Sequence, residues 1–150
     1  MPLLKPDILM RKITHIEYAH ESENYKHFAS LSKSLEKTEK SYIILFHGGK
    51  GEKGERSWCL GCITALEDFE KFASTYNGDI ELFTVSVGTQ EEWQKKSKGA
   101  RTSLFRRNFP YVQAVPTAIL GKGSLELVKI LGPRIEDFEH LIKRFKQYEF

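Results

Sequence analysis

The chain has 150 residues and a net charge of +3, and 40% of its residues are hydrophobic. This length and composition are typical of one globular domain and exclude a disordered protein. The net charge is too small to predict a nucleic acid or membrane partner by itself. The longest apolar run, Tyr42–Phe46, is far too short to span a bilayer.

Residues 1–40 are polar, with scattered apolar positions. Four of these positions have helical spacing and predict a first helix with one apolar face: Tyr25, Phe28, Leu31 and Leu35. We therefore separate an N-terminal extension with a first helix, residues 1–40, from a main domain of residues 41–150. No linker divides the two, so we expect one structural unit overall.

From residue 41 onwards the pattern alternates between strands and helices. Tyr42–Phe46 is a continuous apolar run, which predicts a strand buried on both faces. A loop rich in Gly and Lys follows, and then a helix running to about Tyr76, before the stop signal Asn77-Gly78-Asp79. Ile80–Val87 is rich in residues that favour strands and predicts a second strand.

Residues 88–110 are polar and basic, and we predict short helical pieces around Glu91–Lys96 and Thr102–Asn108. Beyond them, Thr117–Leu120 and Leu125–Leu131 predict an antiparallel hairpin.

A last helix is predicted from about Arg134 to Gln147. Strands separated by helices need parallel crossovers, whereas the hairpin is antiparallel. The sequence therefore predicts a single-domain α/β fold in which helices flank both faces of a mixed central sheet.

The stretch Trp58-Cys59-Leu60-Gly61-Cys62 contains both cysteines of the chain. Two thiols three residues apart, just before an amphipathic helix, can close into one disulfide and reopen without disturbing a core. A position at the helix start favours the thiolate of Cys59, the form that attacks disulfides. An aromatic residue such as Trp58 commonly shields one side of such a pair. The stretch therefore indicates thiol–disulfide chemistry.

A second motif, Ala114-Val115-Pro116-Thr117, places a proline at the entrance to a predicted strand. With W-C-x-x-C at 58–62 and V-P-T at 115–117, the chain resembles the thioredoxin superfamily over residues 40–147. It is most similar to the branch of thioredoxin domain-containing protein 17, the 14 kDa thioredoxin-related protein. Further matching residues are Phe46, Gly48, Ser57, Val87-Gly88, Trp93 and Phe105-Arg106. The resemblance implies a thioredoxin fold with a cis Val115–Pro116 bond beside the two sulfurs.

The resemblance also implies a mechanism and its residues. Cys59 would be the nucleophile and Cys62 the resolving thiol, while Trp58, Val115 and Pro116 would bind the substrate. The expected substrates are small-molecule or protein disulfides. The expected electron source is NADPH through thioredoxin reductase, with no bound cofactor and no metal, because the proline ring would bar metal from the dithiol.

The expected location is the cytoplasm, because Lys5, Pro6 and Asp7 interrupt any signal-peptide apolar region. In a reducing compartment, two closely spaced cysteines are more often catalytic or metal-binding than structural. We expect a monomer with no nucleic acid or membrane partner. One departure from the resembled branch is Leu60-Gly61, where its usual dipeptide is Pro-Asp.

Two other interpretations remain open. Cys59 and Cys62 could bind zinc with His15 and His20, which have H-x4-H spacing on a segment that otherwise resembles a surface helix. Alternatively, the chain could be a redox-silent thioredoxin-like interaction module, docking a partner through the basic segment 93–107 or the N-terminal helix.

Two charged features near the cysteines also need an interpretation. His47 follows a strand close to the cysteine pair, and we expect it to be structural rather than catalytic. Lys50, Lys53 and Arg56 could raise the local positive potential and favour the thiolate or acidic substrates.

Overall fold

The computed structural model describes residues 13–17, 41–94, 112–123 and 125–148. Within these ranges the elements are β1 (Ile13–Glu17), β2 (Ser41–His47), α1 (Leu60–Thr75), β3 (Glu81–Ser86), α2 (Gln90–Gln94), β4 (Thr117–Lys122), β5 (Leu125–Leu131) and α3 (Ile135–Tyr148). The predicted first helix around Tyr25–Leu35 and the predicted helical piece Thr102–Asn108 lie outside the described residues.

The five described strands form one sheet in the order β1-β3-β2-β4-β5. Strands β1 and β2 both run parallel to β3, whereas β4 is antiparallel to β2 and to β5. The mixed sheet predicted from the sequence is therefore confirmed. The parallel strands β2 and β3 end side by side, since His47 is in register with Ser86.

The segment around His15, expected to resemble a surface helix, is strand β1, so that expectation is wrong. Ile13, Thr14 and Ile16 are β-branched residues that favour a strand. Ile13 packs in the core on one face of the sheet, and Ile16 contacts the core on the other face. Because both faces of this edge strand contact protein, its sequence lacks the simple alternation that reveals a half-exposed strand.

Helices α1 and α3 cover one face of the sheet. Helix α1, predicted to be amphipathic, buries its apolar face, with Cys62, Leu66, Phe69 and Ala73 each at most 2% exposed. Phe69 also packs against Phe138 of α3, with ring centroids 4.8 Å apart. Burying such side chains stabilises a fold by about 1.5–3 kcal/mol each. Because both rings belong to the core on this face of the sheet, they hold the two helices against it.

A second apolar cluster lies on the other face of the sheet. It contains Tyr42, Ile44, Phe46, Phe83, Val85, Val87, Trp93, Val112 and Ile119. Trp93 belongs to α2, so helices contact both faces of the sheet as predicted. The same arrangement explains the unbroken apolar run in β2, whose side chains meet core on either side.

Asp68 connects α1 to the first turn of α3. Its Oδ2 accepts hydrogen bonds from the backbone N–H of Ile135 at 3.1 Å and from Nε of Arg134 at 2.9 Å. The Arg134 N–H in turn donates to Asp137 Oδ2 at 2.8 Å. Asp68 is only 7% exposed, so it supplies a buried acceptor for a helix N–H that has no partner within its own helix.

His47 ends β2, where it is half-buried. Its Nδ1 lies 2.7 Å from the Gly48 carbonyl oxygen, and since a carbonyl only accepts, Nδ1 carries the proton. Burial lowers the pKa of His47 to about 4, with smaller contributions in the same direction from His15 and Arg56 and an opposing one from the Gly48 hydrogen bond. His47 is therefore neutral at pH 7, and its non-catalytic role stays a prediction.

We predict that Asp68→Ala lowers the free energy of unfolding by about 1–3 kcal/mol, because the first turn of α3 loses its acceptor. Urea unfolding measures this change. Arg134→Ala is the matched control, since it removes the exposed ion-pair partner and leaves the bond from Ile135 to Asp68 intact. Equal losses for the two variants would show that the cap is not the stabilising element.

We predict that His47 makes the protein lose stability as the pH falls from about 6.5 towards 4. An unfolded histidine binds a proton near pH 6.5, whereas folded His47 binds one only near pH 4, so acid favours the unfolded chain across this window. The slope from one such group reaches at most about 1.4 kcal/mol per pH unit. In urea unfolding across this window, His47→Gln should give a shallower slope, and parallel curves would contradict the prediction.

Candidate functional site

Cys59 and Cys62 form a disulfide at the start of α1. Their sulfur atoms are 2.50 Å apart and their Cα atoms 5.1 Å apart, and this Cα separation is within the usual range for a disulfide. The pair lies between the loop that leaves β2 and the first turn of α1. The two cysteines identified from the sequence are thus close enough to form a disulfide with each other.

Cys59 is the N-cap residue of α1. Its backbone is extended, and its Sγ accepts a hydrogen bond from the Cys62 N–H at 3.2 Å. No acidic residue occupies the first turn of α1, so nothing there opposes the positive end of the helix dipole. Such a position stabilises a thiolate once the disulfide is reduced. Cys59 is also half-exposed, and therefore within reach of an approaching molecule.

Cys62 is completely buried behind Cys59. The backbone N–H of Gly48, just after β2, points at its Sγ over 3.4 Å. A buried N–H donor stabilises a sulfur anion more than a neutral thiol, because hydrogen bonds to charged groups are the stronger ones. The two sulfurs therefore differ in access, and only Cys59 can meet an external partner first.

The loop containing Pro116 lies against Cys59. The Val115–Pro116 peptide bond is cis, and the Val115 carbonyl oxygen is 3.7 Å from Cys59 Sγ. Thr117 Oγ1 donates to the Ala114 carbonyl at 2.7 Å, and Gly132 N–H donates to the Pro116 carbonyl at 2.9 Å. The first bond lies within the loop, and the second connects the loop to the residue that follows β5. The structure thus brings Val115 and Pro116 to the cysteine pair.

Trp58 is held by glycines from two loops. Its indole Nε1 donates to the Gly88 carbonyl at 2.8 Å, and its backbone N–H donates to Gly49 at 2.9 Å. A Cβ at Gly48 would lie 2.5 Å from Trp58 Cε2, so the ring packs directly on the backbone at that position. Trp58 therefore links the loop that follows β2 to the loop that follows β3. It is half-exposed and directly precedes Cys59.

Ser57 is a site residue to which the sequence assigned no role. The residue is 1% exposed, and its hydroxyl donates to the Gly48 carbonyl at 2.8 Å and accepts from the Cys59 N–H at 3.1 Å. It therefore connects the end of β2 to the backbone of Cys59. The available sequence signal was a serine within a glycine-rich stretch, which equally describes a solvated loop.

The loop before Ser57 has mixed charge. Lys50 and Lys53 are exposed and interspersed with two exposed glutamates. Arg56 forms an ion pair with Glu70 of α1. A net positive potential at the cysteines therefore stays a prediction. Lys95, Lys96, Lys98, Arg101, Phe105, Arg106 and Arg107, the rest of the basic segment considered for docking, lie outside the described residues.

The zinc interpretation finds no support among the residues described. They contain no group of three or more His, Cys, Asp or Glu side chains that could hold a metal ion. His15 instead hydrogen bonds to Thr84 on β3, and His20 lies outside the described ranges. Within the same ranges, no helix has the length and apolarity needed to cross a membrane.

Solved structures of thioredoxins are similar to this chain. Thioredoxin NaTrxh from Nicotiana alata matches with a TM-score of 0.57 and 18% identity, covering 87% of this chain and 93% of that one. Oxidized thioredoxin O2 from Arabidopsis thaliana gives 0.58 and 14% over the same shares. Schistosoma mansoni thioredoxin gives 0.56 and 21%, covering 88% of this chain and 95% of the other. These likenesses confirm the predicted thioredoxin fold.

Comparison with curated protein sequences gives no significant match. A family model does match: the thioredoxin domain of thioredoxin domain-containing protein 17-like proteins, over residues 21–147. The matched range includes Cys59, Cys62, Val115 and Pro116, and it begins earlier in the chain than the resemblance found from the sequence. With most of its length matched by this model, the chain belongs to the thioredoxin domain-containing protein 17-like family.

Proposed function

We propose that this protein is a cytoplasmic thiol–disulfide oxidoreductase that reduces small-molecule or protein disulfides through Cys59 and Cys62. One observation carries the proposal. A half-exposed cysteine caps a helix beside Pro116, and its buried neighbour lies at disulfide distance behind it. Membership of a thioredoxin-like family supports the same chemistry.

In the first step, the Cys59 thiolate attacks one sulfur of the substrate disulfide. A bond forms between Cys59 Sγ and that sulfur, and the other substrate sulfur leaves as a thiolate. The Cys62 N–H, 3.2 Å from Cys59 Sγ, stabilises the attacking anion. In the proposed roles, Trp58, Val115 and Pro116 border the attacked sulfur and bind the substrate beside it.

In the second step, Cys62 loses its proton to solvent and attacks Cys59 Sγ. The Cys59–Cys62 disulfide forms and the second substrate sulfur leaves as a thiolate. Two electrons have then passed from the dithiol to the substrate. The Gly48 N–H, 3.4 Å from Cys62 Sγ, favours the resolving thiolate in its buried position.

A further turnover requires reduction of the Cys59–Cys62 disulfide. The chain has only these two cysteines, so the reducing equivalents come from another molecule. We propose thioredoxin reductase as that partner and NADPH as the electron source, as the family resemblance implies. A reductase that fails to reduce this disulfide would remove this part of the proposal and leave the chemistry of the pair intact.

We predict that Cys59→Ser abolishes reduction of a model disulfide, whereas Cys62→Ser forms a mixed disulfide that persists. The reason is the difference in access, since Cys59 is half-exposed and Cys62 is buried. NADPH consumption with thioredoxin reductase measures turnover, and intact-protein mass spectrometry detects the trapped species. The double variant is the control for non-specific adducts.

The redox-silent interaction module makes the opposite prediction for the same assay. Wild-type protein would then show no turnover with any disulfide. Protein reduced beforehand and tested without the reductase would also transfer no electrons to a disulfide. That result would overturn the proposed function.

We predict that Ser57→Ala moves the midpoint of the pH–rate profile for alkylation of Cys59 to higher pH. Without the Ser57 hydroxyl, the Cys59 backbone loses its tie to Gly48, so Sγ is held less firmly at the Cys62 N–H. Iodoacetamide kinetics across pH measure the midpoint. Ser41→Ala, the same change at the opposite end of β2, should leave it in place, and an unshifted profile in Ser57→Ala would contradict a positioning role.

A further inference from the structure

Two large hydrophobic side chains are exposed in the described part of the chain, and each is next in sequence to a residue beside Pro116. Leu60 is 82% exposed and Leu131 is 65% exposed. Leu60 directly follows Cys59 and opens α1. Leu131 pairs with Thr117 at the start of β4, and the next residue, Gly132, donates to the Pro116 carbonyl. Exposed apolar side chains at one place on a surface indicate contact with another molecule.

The segments that form the site carry no charge. Residues 57–66 and 112–121 contain no Asp, Glu, Lys or Arg, although 29% of the whole chain is charged. We call six exposed or half-exposed residues next to Cys59 or to the proline loop the neutral rim: Trp58, Leu60, Ala114, Val115, Pro116 and, from the end of β5, Leu131. No charged side chain of these segments can pair with a charged group on an approaching molecule.

Leu60 is the rim residue best placed to contact whatever reaches Cys59. Gly61 faces the proline loop, since a Cβ there would lie 3.6 Å from Pro116 Cδ. Leu60 projects into solvent instead. Attack by Cys59 brings a substrate sulfur to bonding distance, so the residues beside the substrate cysteine must pass over the rim.

Burial decides which neighbours of the substrate cysteine are favourable. An apolar side chain placed on Leu60 removes apolar surface from water, which lowers the free energy of the complex. A charged side chain placed there loses hydration and finds no partner in the rim. Resting on the proposed function, we propose that Leu60 selects polypeptide disulfides whose cysteine is flanked by apolar residues over those flanked by charges of either sign.

Three synthetic peptides test this proposal. Each carries one cysteine in a mixed disulfide with thionitrobenzoate, flanked by leucines, aspartates or lysines. The rate of thionitrobenzoate release by prereduced protein is divided by the rate with dithiothreitol, which removes differences in intrinsic peptide reactivity. It is also divided by the protein's own rate with bis(2-hydroxyethyl) disulfide, which lacks flanking residues. We expect wild-type protein to prefer the leucine peptide by about 5-fold or more.

The variants at Leu60 separate apolarity from charge. Leu60→Asn should bring the preference for the leucine peptide close to unity, because the apolar contact is lost. Leu60→Asp should in addition make the lysine peptide react faster than the aspartate peptide. Ser74→Asp is the matched control, because it adds the same charge to α1 about 20 Å further along the helix, and its preferences should equal those of wild type.

The outcomes separate this proposal from the proposed function. Equal normalised rates for all three peptides, or a preference unchanged in Leu60→Asn, would overturn the selection by Leu60 while the disulfide chemistry stands. A wild-type preference for either charged peptide would overturn it in the same way. Absence of release from every disulfide, including the small one, would overturn the proposed function itself.

Discussion

The backbone at Gly48 connects the end of β2 to both cysteines, and the geometry of the site depends on it. Its N–H donates to Cys62 Sγ, and its carbonyl accepts from Ser57, which in turn receives the Cys59 N–H. The Trp58 ring packs on the same backbone, where a side chain could not fit. A residue with a Cβ at this position would displace the Trp58 ring.

This connection is effective because both faces of the sheet are covered. Cys62 is fully buried on α1, which packs on one face, and the cluster on the opposite face contacts Trp58 and Val115 at its margin. Cys59 is thereby left half-exposed at a helix start while its partner is removed from solvent. One covalent pair therefore contains two chemically different sulfurs, which is what sequential attack and resolution require.

Local patterns predicted most of the fold and the identity of the cysteine pair. The apolar run of β2 and the apolar face of α1 each lie within one element, so the local sequence is enough to predict their burial. Strand β1 was missed because it has only five residues and its pairing partner is far away in sequence. Its two isoleucines, Ile13 and Ile16, contact core on opposite faces of the sheet, so no simple alternation marks the strand. Ser57 was assigned no role for a related reason, since its acceptor, Gly48, lies across a loop and the sequence shows only a polar residue among glycines.

The sequence by itself determined that two cysteines precede an amphipathic helix and that a proline precedes a strand, because these are neighbours along the chain. Only the tertiary structure decided that the Val115 carbonyl lies 3.7 Å from Cys59 Sγ, although the two residues are 56 positions apart in sequence. It likewise decided that Leu60 stays exposed while Cys62 is buried. Such distances and exposures follow from how the sheet, α1 and the proline loop pack together, and packing is a property of the whole fold.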